Sequence, residues 1–209
     1  MKALVIGASR GIGYYLVQQL IEEGHEVTAC SRSPMDIKLP YPQCQFKRAD
    51  IRDFFALQRI VPGHDVVFLC VGMLPGIDEV NLFSEGSRNV IDAMNESGIN
   101  RLVVVSCVGS GESKGHGGFW YDKVIQPLMM KRILCDRERQ EKIIRDSGLD
   151  WTIVRPGFLT YGRKKNKYKV YTNLEGVKAK YISRQDVADF LLQLMDTDEY
   201  THQAPLVTN

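Results

Sequence analysis

The sequence predicts an α/β chain on a doubly wound parallel sheet. Three observations carry this: short apolar runs alternate with longer stretches of helical period, glycines spaced G-x-x-x-G-x-G follow the first run directly, and no linker or repeat divides the 209 residues.

The strand candidates are Lys2 to Ile6, Glu26 to Cys30, Gln45 to Lys47, Asp65 to Val71, Arg101 to Ser106 and Trp151 to Val154. Between them lie helix candidates at Gly11 to Glu23, Phe54 to Ile60, Val80 to Ser97 and about Lys131 to Asp146. In the third helix Val80, Phe83, Val90, Ile91 and Met94 form one apolar face, and Gly98 reads as its stop. The whole is Rossmann-like. After Arg155 the rhythm changes: Lys167 to Tyr171 and Val177 to Tyr181 flank Asn173 to Gly176 as a hairpin, and Ser183 caps a helix whose Val187, Phe190, Leu191 and Leu194 keep one face apolar. Ala204 to Val207 reads as an edge strand. The expectation is a single NAD(P)-binding domain over 1–209, with a small substrate-side lobe at about 156–209.

Charge and composition narrow the classes. Lys+Arg number 27 against 25 Asp+Glu, a net charge of +2, too near neutrality for sequence-independent phosphate binding, so no nucleic-acid partner is expected. The longest apolar stretches, Val66 to Ile77 and Leu102 to Gly111, fall short of the ~20 residues that span a bilayer, so no membrane or targeting segment is expected. Five cysteines without C-x-x-C spacing, and four scattered histidines, read as reduced thiols in a cytoplasmic protein without a metal site.

Gly7, Ser9, Arg10, Gly11, Ile12 and Gly13 lie in the turn between the first strand and first helix. There missing side chains let the backbone meet a pyrophosphate, whose charge faces helix N-terminal amides. An NAD site usually carries a carboxylate after the second strand; this chain has Arg32 and Ser33 and no acid until Asp36. Arg32 and Arg10 can converge on a 2′-phosphate, which favours NADP(H); the alternative is that both are solvated surface residues. Asp50 either accepts from the adenine amino group, with Ile51 packed on the ring, or caps the helix that follows. Cys70, Val71 and Gly72 end the fourth strand, where glycine allows close passage of ribose and pyrophosphate.

Pro156 and Phe158 fall at the carboxyl edge where a nicotinamide should lie, Phe158 as a pocket wall or as core. Ser106 and Cys107 border the same place, as packing or as catalysis. Gly109 to Tyr121 holds five glycines before Phe119, Trp120 and Tyr121, and reads as a mobile lid whose aromatics stack on a flat acceptor, or as a loop pinned by an aromatic anchor. Arg163 to Lys167 reads as a flavin-phosphate contact or a solvated shoulder.

Together Gly7 to Gly13, Ala49 to Ile51, Ser97 to Ser106, Ser147 to Gly157 and Ile182 to Ala188 resemble the short-chain dehydrogenase/reductase superfamily, in its atypical NAD(P)H-binding branch and nearest in look to its flavin and biliverdin reductases. The resemblance spans nearly the whole chain and implies an NAD(P)H-dependent oxidoreductase. Where the superfamily places Ser and a Tyr-x-x-x-Lys pair, this chain has Val108, Ile133 and Arg137; Tyr121 and Lys123 come too early. The flavin and biliverdin reductases also lack the Tyr/Lys pair, but they carry a serine at the place of Val108 and a histidine at that of Phe158. The residues therefore point to an NADPH-dependent reductase of a planar small molecule such as a flavin or quinone, with no catalytic residue assigned. The alternative is a non-catalytic NADP(H)-binding redox sensor with a protein partner; an epimerase or dehydratase is weakest.

Overall fold

Alternation along the strands decides the architecture of the computed structural model, which describes residues 1–33, 43–73 and 80–209. In β1 (Lys2–Ile6) Ala3 and Val5 face one side of the sheet and Leu4 and Ile6 the other, and all four are buried. Strands apolar on both faces need a layer on each. One layer is α1 (Gly11–Glu22) beside α5 (Arg184–Gln193), which contribute Leu16, Val17, Leu20, Val187, Phe190 and Leu191. The other is α2 (Phe54–Ile60), α3 (Leu82–Ser97) and α4 (Lys131–Arg145), with Leu57, Val90, Met94 and Ile144.

Between the layers lie β2 (Glu26–Ser31), β3 (Cys44–Arg48), β4 (Val66–Leu69), β5 (Arg101–Val105) and β6 (Asp150–Pro156), parallel to β1. With β8 (Lys169–Tyr171) and β10 (Leu206–Thr208) the eight-stranded order is β3-β2-β1-β4-β5-β6-β10-β8, and a two-stranded sheet pairs β7 (Phe158–Thr160) with β9 (Tyr181–Ser183). The order in which strands are added reverses between β1 and β4, the switch point at which such sheets open a crevice.

The carboxyl-terminal third departs from expectation twice. The turn at Asn173–Gly176 forms, with Val177 N–H donating to Leu174 O, but it joins no hairpin. Instead β8 (Lys169–Tyr171) pairs antiparallel with β10 (Leu206–Thr208), while Tyr181–Ser183 pairs parallel with β7. Nor is the last run an edge: β10 sits between β6 and β8, because Leu206 and Val207 are apolar on both faces and fully buried. Periodicity also left unread a π-helical segment, Tyr121–Met130, that runs into α4 and contains Pro127. Ser183 caps α5 as expected, accepting from Asp186 N–H. Asp36 and the 74–77 end of the Val66 to Ile77 stretch lie outside the described residues.

Candidate cofactor crevice at the carboxyl edge of the sheet

The turn after β1 is built by close approach. A Cβ on Gly13 would lie 2.5 Å from Gly7 O and 3.1 Å from Cys70 Cβ, so only glycine lets α1 start this near β4. Gly11 is different: at φ +66° its Cβ position meets no atom nearer than the Arg184 side chain at 4.0 Å. Arg10, before α1, makes no side-chain cap bond, and the first turn of α1 holds no acid. The helix therefore offers uncapped N–H groups beside an open space. Ser9 and Gly11 are half-buried there, Arg10 is exposed, and Ile12 turns into the core.

At one end of the crevice the residues after β2 and β3 converge. Arg32 is exposed, with Nη1 3.8 Å from Asp50 Oδ2. Arg52 holds the same carboxylate at two points, 3.2 and 3.0 Å, and Arg48 Nε donates to Arg32 O at 3.1 Å. These bonds from Arg52, with the Arg32 charge adding, hold the Asp50 carboxyl below the usual carboxylate range. Asp50 does not cap α2; Asp53 does, accepting from Ala56 N–H at 3.0 Å, because Asp50 is spent on arginines. Ile51 is buried against Gly86 of α3. Ser33 is exposed, its carbonyl pinned by the Ser31 hydroxyl at 2.5 Å.

Beneath the crevice lies Arg137. Its buried guanidinium donates to Val71 O at 2.9 Å, Val105 O at 2.8 Å and Gln140 Oε1 at 2.8 Å, and stacks 3.5 Å from the Phe83 ring centre. A cation thus ties together the ends of β4 and β5. It has no ion-pair partner among the described residues, and burial pushes its pKa down. Cys70 and Cys107 flank it; burial raises the Cys70 thiol to about 12 and Cys107 in the same direction, so neither is a thiolate near neutrality. Ser106 donates to buried Glu141 at 2.6 Å and belongs to the packing beneath the site. Gly72 is exposed at the rim.

At the far end buried Pro156 closes β6, and the half-buried Phe158 ring stands 5.0 Å from Tyr121 and 5.7 Å from Tyr181, centre to centre. The Tyr121 hydroxyl donates to Val108 O at 3.2 Å, and burial pushes its pKa up to about 12. Val108 and Ile133 are buried and apolar, so neither supplies an acid or base. Hydrogen bonds from Ser113 to Ser110 O, from Gly109 N–H to Ser113 and between His116 and Val177 O hold down the first part of the Gly109 to Tyr121 loop. Phe119 and Trp120 remain exposed. The 163–167 segment is tied to α5 through the Lys164–Asp189 pair at 2.5 Å and the N–H groups of Lys165 and Asn166 on Asp186, so it is a shoulder on that helix.

An open space at uncapped helix amides, with an arginine beside it, fits the diphosphate of a dinucleotide. Sequence reasoning missed Arg48, Arg52 and Arg184. Arg48 is an ordinary surface arginine until the β2–β3 register pairs it with Ser31, next to Arg32, and Arg52 until it folds back onto Asp50.

A family model described as NAD(P)H-binding matches residues 7–198. An uncharacterized protein of Mycobacterium tuberculosis is 30% identical over 200 residues, covering 95% of this chain and 19% of the relative, so this chain spans about a fifth of that protein. The NAD(P)H azoreductase of Xenophilus azovorans is 25% identical over 212 residues, 98% of this chain and 67% of the relative. A short-chain dehydrogenase/reductase from Veillonella parvula, solved in complex with NADP, superposes with a TM-score of 0.82 at 19% identity, covering 100% of this chain and 94% of that one. The chain belongs to the NAD(P)H-binding family.

Proposed function

We propose that the protein is an NADPH-dependent reductase that passes hydride to a planar acceptor such as a flavin, quinone or azo compound. One observation carries the reading: the edge where the nicotinamide belongs is walled by the Phe158, Tyr121 and Tyr181 rings, and the places of the usual proton relay hold Val108, Ile133 and the buried Arg137. Such an edge orients flat rings and has no Tyr–Lys pair to activate a phenol as acid or base, which suits an acceptor that takes its proton from water. The azoreductase relative, named for reducing a flat conjugated substrate, supports the same class.

Bound NADPH supplies the hydride. Gly11 and the first-turn amides of α1 hold its diphosphate, Arg32 with Arg48 and Ser33 takes the 2′-phosphate, and Asp50 faces the adenine. Ile51 backs the adenine end through α3. Val71, Gly72 and Cys70 border the ribose, Cys107 and Pro156 floor the nicotinamide, and Phe158 aligns the acceptor. Calorimetric titration tests the cofactor assignment: wild type should bind NADPH much more tightly than NADH, and Arg32→Ala should weaken NADPH on the order of tenfold while leaving NADH unchanged. Equal affinities in wild type contradict it.

Buried apolar Val108 and Ile133 also favour a second reading, a NADP(H) sensor without catalysis. Tight NADPH binding without turnover of any acceptor would select it.

A further inference from the structure

The guanidinium of Arg184 has no hydrogen-bond or ion-pair partner among the described residues, although its Nη1 is fully buried. Such a group is costly unless something completes it. Arg184 is the first residue of α5 and its start is rigid. Ser183 caps the helix and donates to Asp186 at 2.7 Å, and Gln19 of α1 donates to Gln185 O at 3.1 Å. The acids on α5 are committed elsewhere: Asp186 to Ser183 and the N–H groups of Lys165 and Asn166, and Asp189 to Lys164 and Tyr168. The guanidinium stacks 3.9 Å from the Tyr161 ring centre, and Arg184 Cδ and Nε stand 4.0 Å from where a Cβ on Gly11 would lie, with no other group outside that turn as near among the described residues.

We infer that Arg184 is a second phosphate clamp, reaching from the carboxyl-terminal lobe across the glycine turn to grip the cofactor's diphosphate opposite the α1 amides. The inference rests on the dinucleotide reading above and adds a contact from the other side of the crevice. A planar guanidinium pre-set by an aromatic face suits two phosphate oxygens. Tyr161 lies three residues beyond Phe158, so the clamp links the diphosphate to the acceptor-facing segment.

The diphosphate is common to both nicotinamide dinucleotides, which separates this arginine from Arg32. Titrations of NADPH and NADH against wild type, Arg184→Ala, Arg184→Lys and Arg32→Ala provide the test, with thermal unfolding as the folding control. Arg184→Ala should weaken both dinucleotides by the same factor, on the order of tenfold or more, and Arg184→Lys should recover part of the loss. The wild-type advantage over Arg184→Ala should shrink as salt rises. Folded Arg184→Ala, or Arg184→Gln should the alanine variant not fold, that binds both dinucleotides like wild type overturns the clamp while the cofactor reading stands. A wild-type protein that binds neither overturns both.

Discussion

Glu141 of α4 and Arg155 of β6 form a two-point ion pair, 3.2 and 2.5 Å, buried under the carboxyl edge of the sheet. Ser106 donates to the same carboxylate, and Glu112 reaches Arg155 from the rim at 2.5 Å while also pairing with Arg145. The pair joins α4 to the strand that delivers Pro156 and Phe158. Removing Glu141 leaves the buried Arg155 with only the carboxylate of Glu112 at the rim, at a cost of ~3 kcal/mol. Glu141→Gln should therefore lower the denaturant midpoint strongly, whereas Glu141→Met with Arg155→Met should cost much less than the sum of the single changes. Additive losses would show that the pair is not coupled.

Gly86 and Ile51 make a second tight junction. A Cβ on Gly86 would lie 2.7 to 2.8 Å from three Ile51 side-chain atoms, so Gly86→Ala should destabilise by about 1–3 kcal/mol. The same change in an Ile51→Ala background should cost less. Equal costs in the two backgrounds, read from urea unfolding, would contradict the packing.

Acid should loosen the crevice through Asp50 and Glu112. For Glu112 burial pushes upward, but the bond and charge of Arg155, with Arg145, outweigh it and leave the carboxyl below its ordinary 4.5; Arg52 does the same for Asp50 from 3.8. A carboxylate lowered by folding contributes stability that is whole above its unfolded value and lost as pH falls through the folded one. Stability should thus decline only below about pH 4.5, and Glu112→Gln should flatten that decline. A variant with the wild-type acid slope would rule Glu112 out.

The buried Val108 and Ile133 lead to a negative result: secondary-alcohol and nucleotide-sugar substrates should not turn over. Robust turnover of either in a panel assay would contradict the reading of those positions.

Much of the fold was legible because strands buried on both faces write near-continuous apolar runs, as Leu4 to Ile6 and Val66 to Leu69 do. The hairpin was misread because Lys167 to Tyr171 and Val177 to Tyr181 look like strands, while their partners, β10 and β7, are distant in sequence or too short to signal. The glycine turn was legible at residue level, since close approach admits only glycine at Gly13. Arg184 was not: an arginine opening a helix reads as solvated until α5 packs against α1 and brings it to Gly11. Of the two alternatives for Asp50, the cap goes instead to Asp53, the residue immediately before α2, which accepts from Ala56 N–H.

Hydride transfer to a flat acceptor is read out by steady-state NADPH consumption across flavins, quinones and azo compounds, with cofactor binding measured on the same samples. Slow oxidation above the protein-free rate is expected with at least one such acceptor, reduced more by Phe158→Ala than by Tyr121→Phe, which keeps the ring and removes only the hydroxyl. Tight NADPH binding with no acceptor raising oxidation above the protein-free rate would contradict it.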